Sequence, residues 1–413
     1  MKDSGAKWIG EIPAHWECIK GKYFLRYIVK PTRQDDGVIT CFRDGEVTLR
    51  SNRREEGFTM ADKEIGYQGI DIGDLVVHGM DGFAGAIGIS DSRGKASPVL
   101  NVLDTNQNKK YIMYYLRSMA YGDVFVALAT GIRVRSCDLR WNKLSNLLYP
   151  IPPIDEQRKI AEFLDKKCEE VDGLIADIQK QIDTLEQYKR STITEAVTKG
   201  LNSTAEMKDS NIQWVGKIPA HWVQHPLYYY FIEHKHKNFL GEENNLLSLS
   251  YGKIISKDIN TDEGLLPDNF NSYNIIDKND IVLRLTDLQN DKRSLRTGIA
   301  SERGIITSAY LTLRSIKTIS AQYFYYLLHA YDLMKVLYNM GSGVRQGLNY
   351  EELSKMMLIE PPIDEQEAIA EYLDKKCAEI DACIKEKKQQ ISVLETYKKS
   401  IIFEYVTGKK EVV

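Results

Sequence analysis

No run of apolar residues in this sequence approaches the roughly 20 needed to cross a bilayer, and the first residues lack the positive-then-apolar pattern of a leader. A cytoplasmic protein is expected. Cysteine is sparse: Cys18, Cys41, Cys137, Cys168, Cys377 and Cys383 form no Cys-x-x-Cys pair and no zinc-ligand spacing, so no bound metal is expected. His-Glu-x-x-His and Gly-x-Ser-x-Gly are absent. An amino-methyltransferase needs Asn/Asp-Pro-Pro-aromatic, whereas the double prolines here read Ile-Pro-Pro-Ile and Glu-Pro-Pro-Ile. Gly88 to Gly94-Lys95 imitates a phosphate loop, but its glycine spacing is too long and Ala96 stands where Ser or Thr would hold magnesium. These absences point to a chain that binds and does not catalyse. A large excess of charge is missing too: the net value is −3. Residues 1–150 carry 21 Lys+Arg against 18 Asp+Glu, a balance of +3, and form the only net basic stretch, a modest pointer to a phosphate-bearing partner.

What the sequence does contain is repetition. Pro152-Pro153-Ile154-Asp155-Glu156-Gln157 opens a stretch without further proline that runs to Gly200. Pro361-Pro362-Ile363-Asp364-Glu365-Gln366 opens a second that runs to Lys409, and more than half of the aligned positions are identical. Prolines lead into helices but do not continue them, Asp155 and Asp364 read as N-caps, and Gly200 after Lys199 reads as a stop. Apolar residues recur at Ile160, Leu164, Val171, Ile175, Ile178, Ile182 and Leu185, and again at Ile369, Leu373, Ile380, Ile384, Ile391 and Leu394, with Lys387 interrupting the second seam. The later steps alternate four and three, the spacing of a coiled coil. Each helix would span about 65 Å. A narrow stripe on so long a helix needs a partner, and the other copy is the nearest candidate. Cys168 and Cys377 occupy matching positions and read as packing residues.

The duplication is wider than the helices. Met1-Lys2-Asp3-Ser4, Trp8, Gly10 and Ile12-Pro13-Ala14-His15-Trp16 return as Met207-Lys208-Asp209-Ser210, Trp214, Gly216 and Ile218-Pro219-Ala220-His221-Trp222. The order is lead-in, body, helix, twice, with a period near 207 residues. The expected division is 1–150, 151–200, 201–360 and 361–413. Two copies about an approximate twofold axis would pair their helices antiparallel in a circular layout, seating the N-terminal lead-in near the end of the second helix. His15 and His221, with no cysteine or carboxylate pattern nearby, read as packing or interface residues.

The bodies diverge but keep landmarks. Asp71-Ile72-Gly73-Asp74 and Asp277-Lys278-Asn279-Asp280 each read as a turn feeding a short strand. Tyr111 to Leu116 and Tyr323 to Leu328 read as aromatic helices, core rather than stacking platforms. Thr130-Gly131-Ile132-Arg133 and Ser342-Gly343-Val344-Arg345 read as glycine turns bearing an arginine. Each body is therefore mixed α+β.

The Trp–Gly–Ile-Pro–His-Trp lead-in, the Gly-Ser-Gly-Val-Arg-Gln segment at 341–346 and the two Pro-Pro-Ile-Asp-Glu-Gln helix starts, in this duplicated order, resemble the specificity subunit of type I restriction–modification enzymes. The resemblance covers essentially the whole chain. It implies two similar α/β target recognition domains, near 31–149 and 237–360, joined by two long antiparallel helices. Each domain would read one half of an asymmetric bipartite target in double-stranded DNA. The helices would act as a ruler and dock two methyltransferase subunits, with restriction/translocase subunits completing the assembly. S-adenosylmethionine, ATP and magnesium would belong to those partners, with no cofactor on this chain. Half-sites one turn apart, about 10–10.5 bp between centres, would leave on the order of six unread bases. The rival readings are a coiled-coil scaffold binding only protein, and a specificity subunit serving methylation alone.

Arginine is the commonest reader of guanine and lysine usually contacts phosphate. Arg133, Arg135, Arg140 and Lys143 cluster after the first glycine turn. Arg345 and Gln346 follow the second. Gly79 to Gly85 and Asp287 to Arg293, which includes Lys292 and Arg293, are further candidate loops. For each arginine the competing role is a solvated charge or a carboxylate partner, and the repeat-equivalence of Arg133 and Arg345 also allows a shared structural role.

Overall fold

A proline pair starts a helix well, and here each pair also anchors what surrounds the helix start. The computed structural model describes residues 1–53, 64–128, 139–259, 269–288, 295–340 and 347–412. Four helices carry its organisation: α1 (Lys109–Tyr121), α2 (Ile154–Lys199), α3 (Ala321–Leu333) and α4 (Ile363–Val406). The Pro153 carbonyl accepts from the Gln157 amide and the Pro362 carbonyl from the Gln366 amide, both at 3.0 Å. The cap is thus the second proline. Asp155 and Asp364, expected as caps, lie inside the first turn, where their charge still complements the helix dipole.

The chain divides into a first lobe, Met1–Ile178 with Lys388–Val413, and a second lobe, Gln179–Lys387. Each lobe holds half of α2 and half of α4. In the first, Ile160, Ala161, Leu164 and Cys168 of α2 share a core with Ile401, Ile402 and Val406 of α4, and the Phe163 and Tyr405 rings lie 4.4 Å apart. In the second, Ile193, Ala196 and Val197 share a core with Ile369, Leu373 and Cys377. The start of one helix meets the end of the other in each lobe, so the pairing is antiparallel. Matching ion pairs stand beside these contacts: Lys398–Asp172 at 2.6 Å and Lys189–Asp381 at 2.6 Å.

The expected seam is the covered face. Ile160, Leu164, Val171, Ile182, Ile369, Leu373, Ile380 and Ile384 are buried, while Ile175, Ile178, Leu185, Ile391 and Leu394 are half-buried. The covered stripe runs further than expected, through Ile193 and Val197 in α2 and Ile402 and Val406 in α4. Lys387 at the interruption donates to Gln181 Oε1 at 2.5 Å.

The Glu and Gln of each helix start tie other elements down. Glu156 accepts from the Trp16 indole at 3.0 Å and meets His15 Nε2 at 3.0 Å. Glu365 does the same with Trp222 at 2.9 Å and His221 at 2.6 Å. Gln157, fully buried, donates to the Pro152 carbonyl at 2.8 Å and accepts from the Asn108 amide at 3.0 Å. Gln366 donates to the Pro361 carbonyl at 2.9 Å and accepts from the Ser320 amide at 2.9 Å. Asn108 and Ser320 are the N-caps of α1 and α3, so each glutamine fixes the start of an aromatic helix against a long one. The buried hydroxyls of Tyr111 and Tyr323 close the joint: Tyr111 donates towards the Pro150 and Val406 carbonyls, Tyr323 towards those of Ile359 and Val197. Gly408 (φ +69°) and Gly200 (φ +74°) end this arrangement in left-handed turns against Trp16 and Trp222. The N-terminal lead-in therefore sits on the end of α4, as expected.

Each body hangs a four-stranded antiparallel sheet on this joint. In the first lobe β1 (Leu25–Ile28), β2 (Leu75–His78), β3 (Ile87–Ile89) and β4 (Leu100–Thr105) run in the order β1-β4-β2-β3. In the second, β5 (Phe231–Glu233), β6 (Ile281–Leu283), β7 (Thr297–Ile299) and β8 (Leu311–Ser315) run β5-β8-β6-β7. The paired aspartates make the turns ahead of β2 and β6. Asp74 accepts from the Asp71 amide and Asp280 from the Asp277 amide, each at 2.8 Å, around left-handed Gly73 and Asn279. Lys30 neutralises the first pair and Arg314 the second. The tyrosines of α1 and α3 are core residues, as expected. Gly88 and Gly94–Ala96 lie in strands, which removes the phosphate-loop imitation. Among the described residues no helix is long and apolar enough to cross a membrane.

Replacing Gln366 with Ala leaves a buried carbonyl and the α3 cap amide without this partner. The expected loss is about 1–3 kcal/mol, read as a lower denaturant midpoint with an unchanged slope; an unchanged midpoint would contradict the role assigned to it. Lys30 and then Arg93 hold the Asp71 carboxyl down at about 2. Because this folded value lies below the usual carboxylate range, the stabilisation is complete above pH ~4 and fades as pH falls towards ~2. Asp71→Asn should flatten that part of a melting-temperature profile.

Candidate nucleic-acid interface

In each body the central strand ends in a loop, and that loop is stitched to the chain emerging from the glycine–arginine segment. In the first lobe, Gly79 follows β2, and its carbonyl accepts from the Leu139 amide at 2.8 Å. Asn101, buried on β4, donates to the carbonyls of Val77 at 3.2 Å and Leu139 at 3.1 Å. His78 folds the loop onward: Nδ1 accepts from the amides of Met80 at 3.2 Å and Asp81 at 2.9 Å. Both bonds require an unprotonated Nδ1. Burial pushes the imidazole below its usual value, which Asp81 partly offsets. Gly85 (φ +98°) closes the loop so tightly on the Arg43 carbonyl that a Cβ would come within 2.7 Å of it.

The second lobe reaches the same arrangement with other residues. The Leu348 amide donates to the Leu285 carbonyl at 3.0 Å in the loop after β6. Arg296 is fully buried, and its guanidinium donates to the carbonyls of Arg284, Thr286 and Asp287 at 3.1, 2.8 and 3.1 Å. Its Nε donates to the Tyr338 hydroxyl at 3.1 Å, and its amide to Asp332 at 2.7 Å. An arginine so placed shapes a loop from beneath and is not a surface reader. Beside this loop lies an open cleft of about 610 Å³, lined by Glu233, Lys235, Thr286, Tyr310, Leu348 and Asn349 among others.

Two of the candidate contact residues fall in this frame. Arg140 is exposed directly after the Leu139 stitch, and Lys143 is half-buried on the short helix Trp141–Asn146. Trp141 of that helix stacks on Tyr27 at 6.5 Å. Arg133, Arg135, Lys292, Arg293, Arg345 and Gln346 lie outside the described residues. The start of the Gly79–Gly85 loop is thus joined to Leu139, next to Arg140, and in the second lobe Leu285 is joined to Leu348. Sequence reading missed His78, Asn101 and Arg296. Arg296 leaves no trace that could separate it from neighbouring Lys292 and Arg293. His78 could have been noticed as a polar residue at the end of an apolar strand, just before a glycine. No group of acidic, histidine or cysteine residues fit to hold a metal is present among the described residues.

Residues 251–393 match the family model described as the type I restriction modification DNA specificity domain. Two proteins of Methanocaldococcus jannaschii are similar over nearly the full length. One, assigned as the MjaX specificity subunit of a type I restriction enzyme, is 25% identical over 97% of this chain and 95% of its own. The other, the type I restriction enzyme MjaVIII specificity subunit, is 25% identical over 96% and 93%. The fold matches a chain from a structure of a type I restriction–modification system, with a TM-score of 0.68 at 14% identity over 97% of this chain and 100% of that one. It also matches the HsdS subunit from Thermoanaerobacter tengcongensis, with a TM-score of 0.50 at 16% identity over 97% and 98%. Over nearly its whole length the chain is thus similar to specificity subunits of type I restriction enzymes. The loops after β2 and β6 diverge while the stitches that hold them match.

His78 should stay the neutral Nε2–H tautomer at pH 7, with a midpoint below 6.5, measurable by nitrogen-15 shifts of the ring. Its folded midpoint is depressed, so the loop order it supplies is complete above pH ~6.5 and lost as pH falls through the folded value. A ring already protonated at pH 7 would contradict the loop geometry.

Proposed function

We propose that this chain is a type I specificity subunit that reads an asymmetric, two-part DNA sequence, one part by each lobe, as the non-catalytic member of a complex. The observation that carries this reading is the paired construction of the lobes. The joint at each long-helix start is the same in both, down to the Glu–Trp and Gln–cap hydrogen bonds. The loops after β2 and β6 are shaped by unrelated residues, His78 in one and Arg296 in the other. A common frame holds assembly constant while the loops set the target. Positive residues such as Arg140 and Lys143 would supply phosphate and base contacts. The long helices would set the spacing between half-sites.

Two copies of one partner would dock on repeat-equivalent marks along those helices. Ile154 and Ile363 are each 39% exposed, and Tyr188 and Tyr397 are 48% and 50% exposed. Matching large side chains left open on a helix suit a methyltransferase subunit on each lobe, with nuclease/translocase subunits further out. S-adenosylmethionine, ATP and magnesium would be held by those partners, in the cytoplasm.

Mapping methylated adenines in a host carrying the assembled system should give a single two-part motif with on the order of six unspecified bases. One continuous motif would contradict the reading. Affinity of the complex for that target should fall steeply with salt, as neutralised phosphates take back counterions. Tyr188→Glu and Tyr397→Glu should each remove one methyltransferase subunit by native mass spectrometry, and both together should remove two. Retention of both partners by the double variant would place docking elsewhere and favour a protein-only role for other surfaces.

A further inference from the structure

One turn is built alike in both lobes but carries opposite chemistry. In each, a segment leaving the main sheet bridges to a second strand, Lys30 to Gly69 in the first lobe and Lys237 to Asn274 in the second. A tight turn follows, starting three residues after Lys30 and directly after Lys237. In the first lobe the Asp36 amide donates to the Arg33 carbonyl at 3.3 Å, and buried Asp36 accepts from the Arg33 amide at 2.8 Å and from the Arg93 guanidinium at 2.9 Å. In the second the Gly241 amide donates to the Asn238 carbonyl at 3.0 Å. Asn238, only 2% exposed, binds both the amide and the carbonyl of Glu243, at 3.1 and 2.9 Å. Both turns are therefore held from inside the protein.

The middle residues point the other way. The first lobe presents exposed Gln34 and Asp35, ordinary turn chemistry. The second presents Phe239, 71% exposed, and Leu240, 84% exposed, adjacent on a fixed turn. Turn chemistry selects against two large apolar residues there, and they lend nothing to the core. Their use must lie in something the protein meets.

The turn's position says what that is. Strand β5 runs out through His234, whose amide donates to the Thr312 carbonyl, and then through Lys235 towards the turn. Lys235 lines the cleft beside Thr286 and Leu348, at the loop end of the sheet. Phe239 is four residues from Lys235, within about 14 Å by chain length. The exposed residues Lys235 and His236 precede the apolar pair. Apolar side chains on a hydrogen-bonded turn, beside a polar edge where Lys235 pairs with Glu233 at 2.8 Å, suit insertion between stacked bases.

We propose that the Asn238–Gly241 turn is a specificity-determining wedge: Phe239 and Leu240 enter a base step of the second lobe's half-site and partly unstack it. The matching Arg33–Asp36 turn, with Gln34 and Asp35, makes polar contacts and leaves its half-site stacked. This rests on the DNA-reading function above. It implies a half-site containing an easily unstacked pyrimidine–purine step at that position.

The experiment uses the assembled complex and duplexes carrying 2-aminopurine at successive positions of both half-sites. Apart from the target adenine that each methyltransferase extrudes, the wild-type complex should raise fluorescence at one further step of the second lobe's half-site and at none in the first. F239Q/L240D, which installs the first lobe's turn residues, should abolish that rise and weaken specific binding by about tenfold. Binding to unrelated DNA, subunit stoichiometry and circular dichroism should stay unchanged. A wild-type complex that binds selectively but brightens no position beyond the extruded adenines, or a double variant of unchanged specific affinity, would overturn the wedge. Loss of a protein subunit by the double variant would also overturn it, since the turn would then be a protein contact. Absence of any selective binding by the wild-type complex would instead defeat the functional reading on which the wedge rests.

Discussion

The structure depends on the hydrogen bonds made by two consecutive side chains, Glu and Gln, at the start of each long helix. The glutamate holds the lead-in by its His–Trp pair; the glutamine, buried and saturated, holds the cap of the aromatic helix. Buried polar groups of this kind are costly if unmet and directional when met. They fix the angle at which a body leaves its helix. Hydrophobic burial in the lobe cores supplies most of the driving force, but it would tolerate many angles. The polar joint narrows that choice, and its hydrogen bonds recur in both lobes.

That sameness gives the divergence elsewhere its meaning. Where the frame repeats, the loops after β2 and β6 are shaped by an imidazole in one lobe and a buried guanidinium in the other. The paired turns at 33–36 and 238–241 carry polar residues in one lobe and large apolar ones in the other. On the proposed function, elements that would meet common partners are copied, and elements that would meet the variable target are not. Changing a loop would then alter what is read without disturbing how the subunit is assembled.

The helices, their antiparallel pairing and the aromatic cores were legible from sequence because they rest on periodicity and on long identical stretches. The start was misplaced by a short step: Asp155 looked like a cap, but the carbonyl of Pro153 had already taken that role. The repeated Glu-Gln was visible as a motif, yet its work was not, because its partners lie some 50 to 140 residues away in the chain. Site residues were harder still. A surface arginine and a buried one such as Arg296 look alike in sequence, and a wedge such as Phe239–Leu240 looks like any short apolar pair until the turn beneath it is seen to be rigid.

Inside each lobe the start of one long helix pairs with the end of the other. Zero-length carbodiimide cross-linking of the chain, read by mass spectrometry, tests this pairing. Two symmetric products are expected, an amide joining Lys398 to Asp172 and another joining Lys189 to Asp381. Failure to form either one, with cross-links elsewhere in the same sample, would contradict it.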